Sequence, residues 1–302
     1  MKKNLTIVCH DAGGAEILSS WLKRNNYKAR VVAKGPAKEI FKRKLAEVKF
    51  FRLDDALNKS DLLLAGTGWE TNFEKQAIYK ARNLGIKTVA FLDHWVNYRE
   101  RFEFNGNTTL PDEIWVGDKD AESIANSIFS ETPVIFYPNP YFEDLKEEIS
   151  LTQNSKNETG KLKILYVCEP VAEHALSQHG DKRYWGYTEH DALNFFLKNF
   201  NIFNSIDSIT IRPHPSENKK KYLWVNNFLN LPIEFSKGNK LIDEIIASDI
   251  VVGCESMAMV VGLLAKKNVI SAIPPGGRSC QLPHKEIKSL HKLIILKSKN
   301  ND

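Results

Sequence analysis

The sequence predicts an α/β protein made of two doubly wound domains that face each other across a cleft. Short apolar runs alternate with amphipathic stretches of helical length, which is the pattern of βαβ units and a mainly parallel sheet. A polar stretch over residues 145–160, read as a linker or surface insertion, interrupts this alternation once. A chain of 302 residues is long enough for two domains of ordinary size. We therefore predict domains over residues 1–150 and 151–302.

The first domain opens with Leu5–Cys9, a continuous apolar run of the kind expected in a strand covered on both faces. A short turn then leads into residues 15–22, whose apolar side chains recur at helical spacing. The alternation continues and predicts strands over 29–33, 61–65, 88–92, 113–116 and 134–136, with helices over 37–47, 70–84 and from 118 onward.

The second domain restarts with the apolar run over residues 162–168. Further strands are predicted over 208–211, 249–252 and 268–273, and helices over 189–202, 218–229 and 256–265. The segment from Glu169 to the helix at 189 shows no clear periodicity and is predicted to be a long irregular loop. Such loops in α/β domains usually bind ligands or act as lids.

Composition and charge narrow the class of protein. The net charge of +5 is small and the lysines are spread along the chain, which argues against a nucleic-acid-binding protein. The four cysteines lack CxxC spacing and no HExxH motif occurs, so neither a disulfide framework, a metal site nor a cofactor is predicted. No apolar stretch suits a signal peptide or a membrane span, and we expect a cytoplasmic protein. Lysines near both ends indicate either a solvated tail, the simpler interpretation, or peripheral contact with an anionic membrane.

Loops of the first domain carry glycines and polar residues at the carboxyl ends of predicted strands, where open α/β sheets place their ligands. After the first strand, Gly13 and Gly14 allow a ligand to approach the backbone at a helix N-terminus. Asp11 is a candidate general base, with His10 as the alternative. A helix cap followed by a tight turn is the structural interpretation of the same residues. Gly68 occupies the same kind of position after a later strand, which suits close approach of a polar ligand.

The loop after the strand over 88–92 holds the densest set of reactive side chains in the first domain. Asp93 and His94 form a candidate proton-transfer pair, because a carboxylate beside an imidazole can pass a proton. Arg99 or Arg101 is expected to bind an anionic group. Aromatic residues of the same loop offer flat faces for a sugar or a base. A solely structural role for the loop is the competing interpretation.

The segment Arg212-Pro213-His214-Pro215 ends a strand abruptly, because proline lacks a backbone donor and restricts the residue before it. The guanidinium of Arg212 and the imidazole of His214 both suit phosphate oxygens. A histidine that merely closes a strand is the competing interpretation.

A second strand of this domain runs into Gly253-Cys254-Glu255-Ser256 and then an apolar helix. Backbone N–H groups after Gly253 and the hydroxyl of Ser256 suit an anion at the helix start. Glu255 could instead accept hydrogen bonds from ribose hydroxyls. Glu169 likewise follows a strand and is expected to contact the substrate or nucleotide.

These motifs resemble those of GT-B nucleotide-sugar glycosyltransferases. Arg212–Pro215 is similar to the His-Pro motif of bacterial sialyltransferases, polysialyltransferases and CDP-glycerol glycerophosphotransferases. The resemblance implies that His214 contacts the donor phosphate. It also implies that Asp11-Ala12-Gly13 stands for the acidic acceptor-activating motif, and that Glu255-Ser256 matches the Ser-Ser/Thr motif only in part.

The sequence therefore predicts a metal-independent glycosyltransferase that transfers a sugar from a nucleotide-sugar donor to a surface-glycan or lipid-linked acceptor. The resemblance slightly favours a CMP-linked acid sugar. The first domain is expected to bind the acceptor and the second the nucleotide. A UDP-sugar 2-epimerase or nucleotide-sugar hydrolase on the same fold is one alternative, and a non-catalytic binding partner is another. The oligomeric state is left open.

Overall fold

The computed structural model describes residues 3–68, 71–152, 160–228 and 231–299. The chain divides into two compact units, Met1–Asp144 and Leu145–Asp302, a few residues before the predicted boundary at 150. Trp69 and Glu70, where we predicted the entry to a helix, lie outside the described residues, as do most of the predicted linker and the end of the helix predicted over 218–229. In the described part of the chain no helix is both long and apolar enough to span a membrane.

The first unit contains one parallel sheet of six strands in the order β2-β1-β3-β4-β7-β8, with a separate hairpin β5-β6. All five residues of its first strand are buried, as expected for a strand with helices on both faces. The elements are β1 Leu5–Cys9, α1 Ala12–Arg24, β2 Ala29–Ala33, α2 Ala37–Lys44, α3 Leu53–Leu57, β3 Leu62–Ala65, α4 Phe73–Asn83, β4 Lys87–Leu92, a 3₁₀ turn Glu100–Phe102, β5 Glu103–Phe104, β6 Asn107–Thr108, β7 Glu113–Val116, α5 Lys119–Ile128 and β8 Val134–Phe136. Helix α6, Pro140–Leu151, runs across the division of the chain.

The second unit contains another parallel sheet of six strands, in the order β11-β10-β9-β12-β13-β14. Its helix α8 begins with a capping box, in which Thr188 and Asp191 satisfy each other's backbone donors. The elements are β9 Leu162–Val167, α7 Val171–His179, α8 Glu189–Lys198, a 3₁₀ turn Phe200–Ile202, β10 Ile206–Arg212, a 3₁₀ helix Lys219–Asn227, β11 Ile233–Phe235, α9 Leu241–Ala247, β12 Ile250–Gly253, α10 Met257–Leu264, β13 Asn268–Ser271, β14 Lys288–Ser289 and α11 Leu290–Lys299.

Each sheet contains one point at which the strand order reverses. In the first sheet the reversal lies between β1 and β3, and in the second between β9 and β12. Counted within its own unit, the second sheet has the order 3-2-1-4-5-6 of doubly wound dinucleotide-binding domains. Open α/β sheets bind their ligands outside the carboxyl ends of the strands at this reversal. The topology thus selects the loops after β1 and β3, and those after β9 and β12, as candidate sites.

Two expectations about connections are wrong. The stretch from residue 145 is not a linker at its start, because α6 continues to Leu151. The segment after Glu169 is not irregular throughout, because residues Val171–His179 form α7 and Gly180 ends it with a φ of 74°. A glycine with positive φ directly after a run of helix-forming residues is a common helix end, so this signal was present in the sequence.

Candidate functional site

Two aspartates stand at the carboxyl edge of the first sheet. The Asp11 carboxylate lies 2.7 Å (Oδ1) from Nδ1 of the His10 ring. Asp93 Oδ1 accepts hydrogen bonds from Arg101, at 2.8 Å, and from the hydroxyl of Thr67, at 3.3 Å. Arg101 is 4% exposed, so a buried guanidinium balances the charge of Asp93. Asp93 is therefore fixed in place, whereas Asp11 is held by a ring that can itself carry a proton.

Two glycines leave space for the carboxylates of Asp11 and Asp93, where any side chain would collide with them. A Cβ atom on Gly13 would lie 2.5 Å from Oδ2 of Asp93, and one on Gly68 would collide with the carboxylate of Asp11. Gly14 serves helix packing, since its Cβ would lie 3.3 Å from the Cα of Gly66. The contact of these glycines with a ligand stays a prediction.

His94 and Arg99, the other predicted residues of the loop after β4, bond to different partners. The imidazole Nδ1 of His94 accepts a hydrogen bond from the backbone of Trp95 at 3.0 Å, and burial together with Arg101 lowers the pKa of His94 to about 4. His94 is thus neutral, and Asp93 is bonded to other partners. Arg99 is exposed and donates to the carbonyl of Ile128. Of the two arginines considered, Arg101 is the one that the structure brings to Asp93.

Sequence reasoning missed Glu74, a buried carboxyl group beside this site. Its Oε1 accepts the backbone N–H of His10 at 2.5 Å, and its Oε2 has no hydrogen-bond partner among the residues described. Burial, assisted by the charge of Asp11, raises the pKa of Glu74 to about 7. The sequence does contain a signal for its burial. Glu74 lies three residues before Ala77 and four before Ile78, and this helical spacing places all three on the buried face of α4.

In the second unit, His214 follows β10 and is half-buried. Its Nδ1 lies 2.7 Å from the hydroxyl of Ser216 and accepts the backbone N–H of the same residue at 3.3 Å. Nδ1 is therefore an acceptor, which assigns the proton of the neutral ring to Nε2. Burial lowers the pKa of His214, so the ring is mainly neutral at pH 7. The Nε2–H group is a donor without a partner in the part of the chain described.

A carboxylate network holds the backbone of the His214 loop. Glu217 accepts the N–H of His214 at 3.3 Å and the hydroxyl of Tyr222 at 2.9 Å. Lys221 donates to Glu217 at 2.7 Å, to Glu189 at 2.6 Å and to Glu173 at 2.8 Å. Carboxylate oxygens of these three glutamates lie within 4.8 Å of one another, as a cation site requires, but the ammonium of Lys221 already bonds to all three.

Arg212 is turned to a different partner. Its guanidinium donates to Glu244 at 2.6 Å, to the carbonyl of Asn239 at 2.9 Å and to Ser236 at 3.3 Å. These bonds tie β10 to the start of α9. The phosphate contact of Arg212 stays a prediction. In the structure its guanidinium group bonds to other residues of the protein.

The loops after β9 and β12 meet at the reversal of the second sheet. Oε1 of Glu169 accepts the backbone N–H groups of Cys254, at 3.1 Å, and Glu255, at 2.8 Å. We call these two N–H groups the α10 amide site. Burial raises the pKa of Glu169 to about 7, since it outweighs the hydrogen bonds that favour the charged form. The amide groups predicted to receive phosphate thus already hold a carboxylate of the protein.

The remaining predicted residues support this loop. A Cβ atom on Gly253 would lie 2.8 Å from the side chain of Val167, so the glycine is required by packing. The hydroxyl of Ser256 accepts the N–H of Ala258 at 3.1 Å and caps α10. Glu255 is ion-paired with Arg278, whose guanidinium also stacks 3.9 Å over the ring of Trp185.

The protein is similar to known proteins in its fold and not in its sequence. No family model and no curated protein matches the sequence. The fold is similar to the solved structure of UDP-GlcNAc 2-epimerase from Methanocaldococcus jannaschii, with 12% identity, a TM-score of 0.55 and coverage of 89% of this chain and 83% of that chain. It is also similar to UDP-N-acetylglucosamine 2-epimerase from Rickettsia bellii, with 12% identity, a TM-score of 0.56 and coverage of 89% and 79%.

The fold is less similar to that of the glycosyltransferase SnogD from Streptomyces nogalater. The TM-score is 0.47 and the identity 10%, over 91% of this chain and 82% of that chain. At such identities the comparisons establish the fold alone. The chain has the α/β fold of GT-B proteins, with two Rossmann-like domains.

Proposed function

We propose that this protein is a glycosyltransferase that uses a nucleotide-activated sugar. The observation that carries the proposal is His214, whose Nε2–H donor has no partner among the described residues and which lies at the carboxyl edge of a sheet with the strand order of dinucleotide-binding domains. Its backbone is held by Glu217 and its ring by Ser216. A donor fixed in this way costs little reorganisation when charge develops on a departing phosphate.

The proposal assigns the nucleotide to the second unit and the acceptor to the first. In the first unit Asp11, or the His10 ring that Asp11 orients, takes the proton of the acceptor hydroxyl. Nδ1 of His10 lies 2.7 Å from Asp11, the arrangement in which a carboxylate orients an imidazole base. Asp93 and Arg101 form the fixed neighbouring ion pair.

The test is calorimetric titration with CMP, CDP, UDP and GDP, followed by transfer assays with the matching nucleotide sugars. CMP-linked acid sugars are one arm of that screen. We expect His214→Ala to weaken binding about ten- to a hundredfold, because a hydrogen bond to a charged group contributes about 1.5–3 kcal/mol. His291→Ala, which changes a histidine of α11, is the matched control and should bind like the wild type. Equal affinities of wild type and His214→Ala would contradict the proposal.

A second candidate is a UDP-sugar epimerase or hydrolase. The observation that favours it is the pair of carboxyl groups Glu74 and Glu169, one in each unit, whose pKa values are raised to about 7 by burial. Groups of this kind can give and take protons at neutral pH. Incubation with UDP-N-acetylglucosamine and no acceptor separates the candidates, because only the epimerase or hydrolase would convert the sugar or release the nucleotide at a substantial rate.

A further inference from the structure

The α10 amide site is occupied by a side chain of the protein itself. Oε1 of Glu169 accepts both of its N–H groups, at 3.1 Å and 2.8 Å. The same two donors lie in the loop between β12 and α10, at the strand-order reversal of the second sheet, where open α/β sheets bind their ligands. We propose that Glu169 is an internal competitor for the donor's phosphate, which enters the α10 amide site when Glu169 takes up a proton. This inference rests on the proposed function and adds a control on its nucleotide site.

An unsatisfied donor lies beside the same place. Tyr187 is completely buried, and its hydroxyl has no hydrogen-bond partner within the described residues. Tyr187 packs in the same buried cluster as Cys254, whose N–H belongs to the α10 amide site. Burial raises the pKa of the Tyr187 phenol, so the hydroxyl keeps its proton. A buried hydroxyl without a partner costs about 1–3 kcal/mol. A ligand oxygen within hydrogen-bond distance of this hydroxyl would remove that cost.

Glu169 changes its charge near pH 7, whereas the titratable groups on which it acts do not. The charge of Glu169 acts on five groups whose pKa values burial raises, so that they stay neutral up to pH 9: Tyr166, Cys168, Tyr187, Cys254 and Cys280. Glu255 carries a charge but is ion-paired with Arg278.

The direction of the effect follows from these charges. A carboxylate and a phosphate that share the same two amide donors repel each other, whereas a neutral carboxyl does not. Glu169 has a pKa of about 7, so it is neutral below that pH and charged above it. Nucleotide affinity should therefore fall as the pH rises through about 7.

The experiment compares wild type, Glu169→Gln and Glu234→Gln by calorimetric titration at pH 7.0 and 8.5. The probes are UDP-N-acetylglucosamine and a CMP-linked acid sugar, whose phosphates are diesters and do not titrate in this range. We expect wild type to bind about fifteenfold more weakly at pH 8.5, because only about 3% of Glu169 is then neutral. Glu169→Gln should bind equally at both pH values, and more than tenfold tighter than wild type at pH 8.5. Glu234→Gln removes the charge of a half-exposed glutamate on β11 and should behave like wild type.

The outcomes separate the two proposals. If wild type binds a probe with the same affinity at both pH values, or if Glu169→Gln keeps the wild-type pH dependence, the inference is overturned while the proposed function stands. If neither wild type nor Glu169→Gln binds these two probes or the sugars activated with CDP or GDP, the proposed function fails and the inference with it. Should Glu169→Gln not fold, titration of wild type at pH 8.5 in two buffers of different ionisation enthalpy decides. Uptake of about one proton supports the inference, and no uptake overturns it.

Discussion

Glu74 shows how a single buried residue couples the site to the stability of its unit. The residue is 1% exposed, and only one of its carboxyl oxygens has a hydrogen-bond partner among those described. Its pKa of about 7 means that folding favours the protonated form. The stability that Glu74 contributes is therefore complete below its unfolded pKa of about 4.5 and is lost as the pH rises through about 7.

Glu74→Gln keeps an acceptor for the N–H of His10 but cannot ionise. We expect the variant to gain about 2 kcal/mol of unfolding free energy relative to wild type between pH 5.5 and pH 8, because only wild type must bury a charge at the higher pH. Urea unfolding at both pH values measures the gain. Glu39→Gln, at an exposed position on α2, should show no such gain. A constant difference between Glu74→Gln and wild type would show that Glu74 does not titrate in this range.

Individual residues also show the limit of sequence reasoning about the site. His214 and Glu169 were expected at strand ends, where the structure has them, because a proline stops a strand and apolar runs locate its end. The partner of a side chain is set by residues far along the chain. Arg212 meets Glu244, and Glu169 meets the backbone of Cys254, through contacts that no local pattern specifies.

At the scale of elements, the segments after β1, β3 and β4 fit together because Gly13 and Gly68 have no side chains where the Asp93 and Asp11 carboxylates lie. Gly68→Ala would place a Cβ against the Asp11 carboxylate. We expect this variant to break the contact between Asp11 and the His10 ring. The imidazole ¹⁵N chemical shifts of His10 would report the loss as a change in the population of its Nδ1–H tautomer.

Gly85→Ala is the matched control for this element. Gly85 has a φ of 68°, and a Cβ there would meet nothing within 4 Å. The control should therefore lose stability by about 1 kcal/mol through backbone strain while the His10 signals stay as in wild type. Unchanged His10 shifts in Gly68→Ala would contradict the packing role assigned to Gly68.

Elements with strong periodicity were predictable, and those stabilised by tertiary contacts were not. Central strands such as β1, β3 and β12 appear as apolar runs, because a strand with helices on both faces has no polar side. Strand β11, which has three residues, and α9, which has seven, were both missed. The equally short β8 was predicted because all three of its residues are apolar, whereas β11 has a glutamate at its centre. The segment predicted as a helix over 218–229 is a 3₁₀ helix from Lys219 to Asn227 with only two buried residues.

For the whole molecule, alternating strands and helices predict two parallel sheets but not their strand orders. The first sheet reverses between β1 and β3, and the second between β9 and β12. These orders depend on which strands pair across long stretches of sequence. The apolar residues of one strand can be buried equally well by several other strands, so the apolar pattern does not specify the partner. One main apolar cluster lies within the first unit and another within the second.

The end of the first unit can be located by truncation within α6. The first turns of this helix hold Phe142, which is 8% exposed, and Asp144, which accepts a hydrogen bond from Arg24 at 2.7 Å. Lys44 also lies 4.4 Å over the ring of Tyr141. A fragment of residues 1–152 keeps these contacts, whereas a fragment of residues 1–139 loses all of them.

We expect the fragment of residues 1–152 to unfold cooperatively in urea. The fragment of residues 1–139 should be less stable by about 3 kcal/mol or more, because removal of one buried phenylalanine side chain alone costs about 3–5 kcal/mol. In fragment 1–152, Phe142→Ala should reproduce most of the difference, since it empties the same space beside Trp95 and Asn139. Equal stability of the two fragments would mean that α6 adds nothing to the first unit and that its core closes before Pro140.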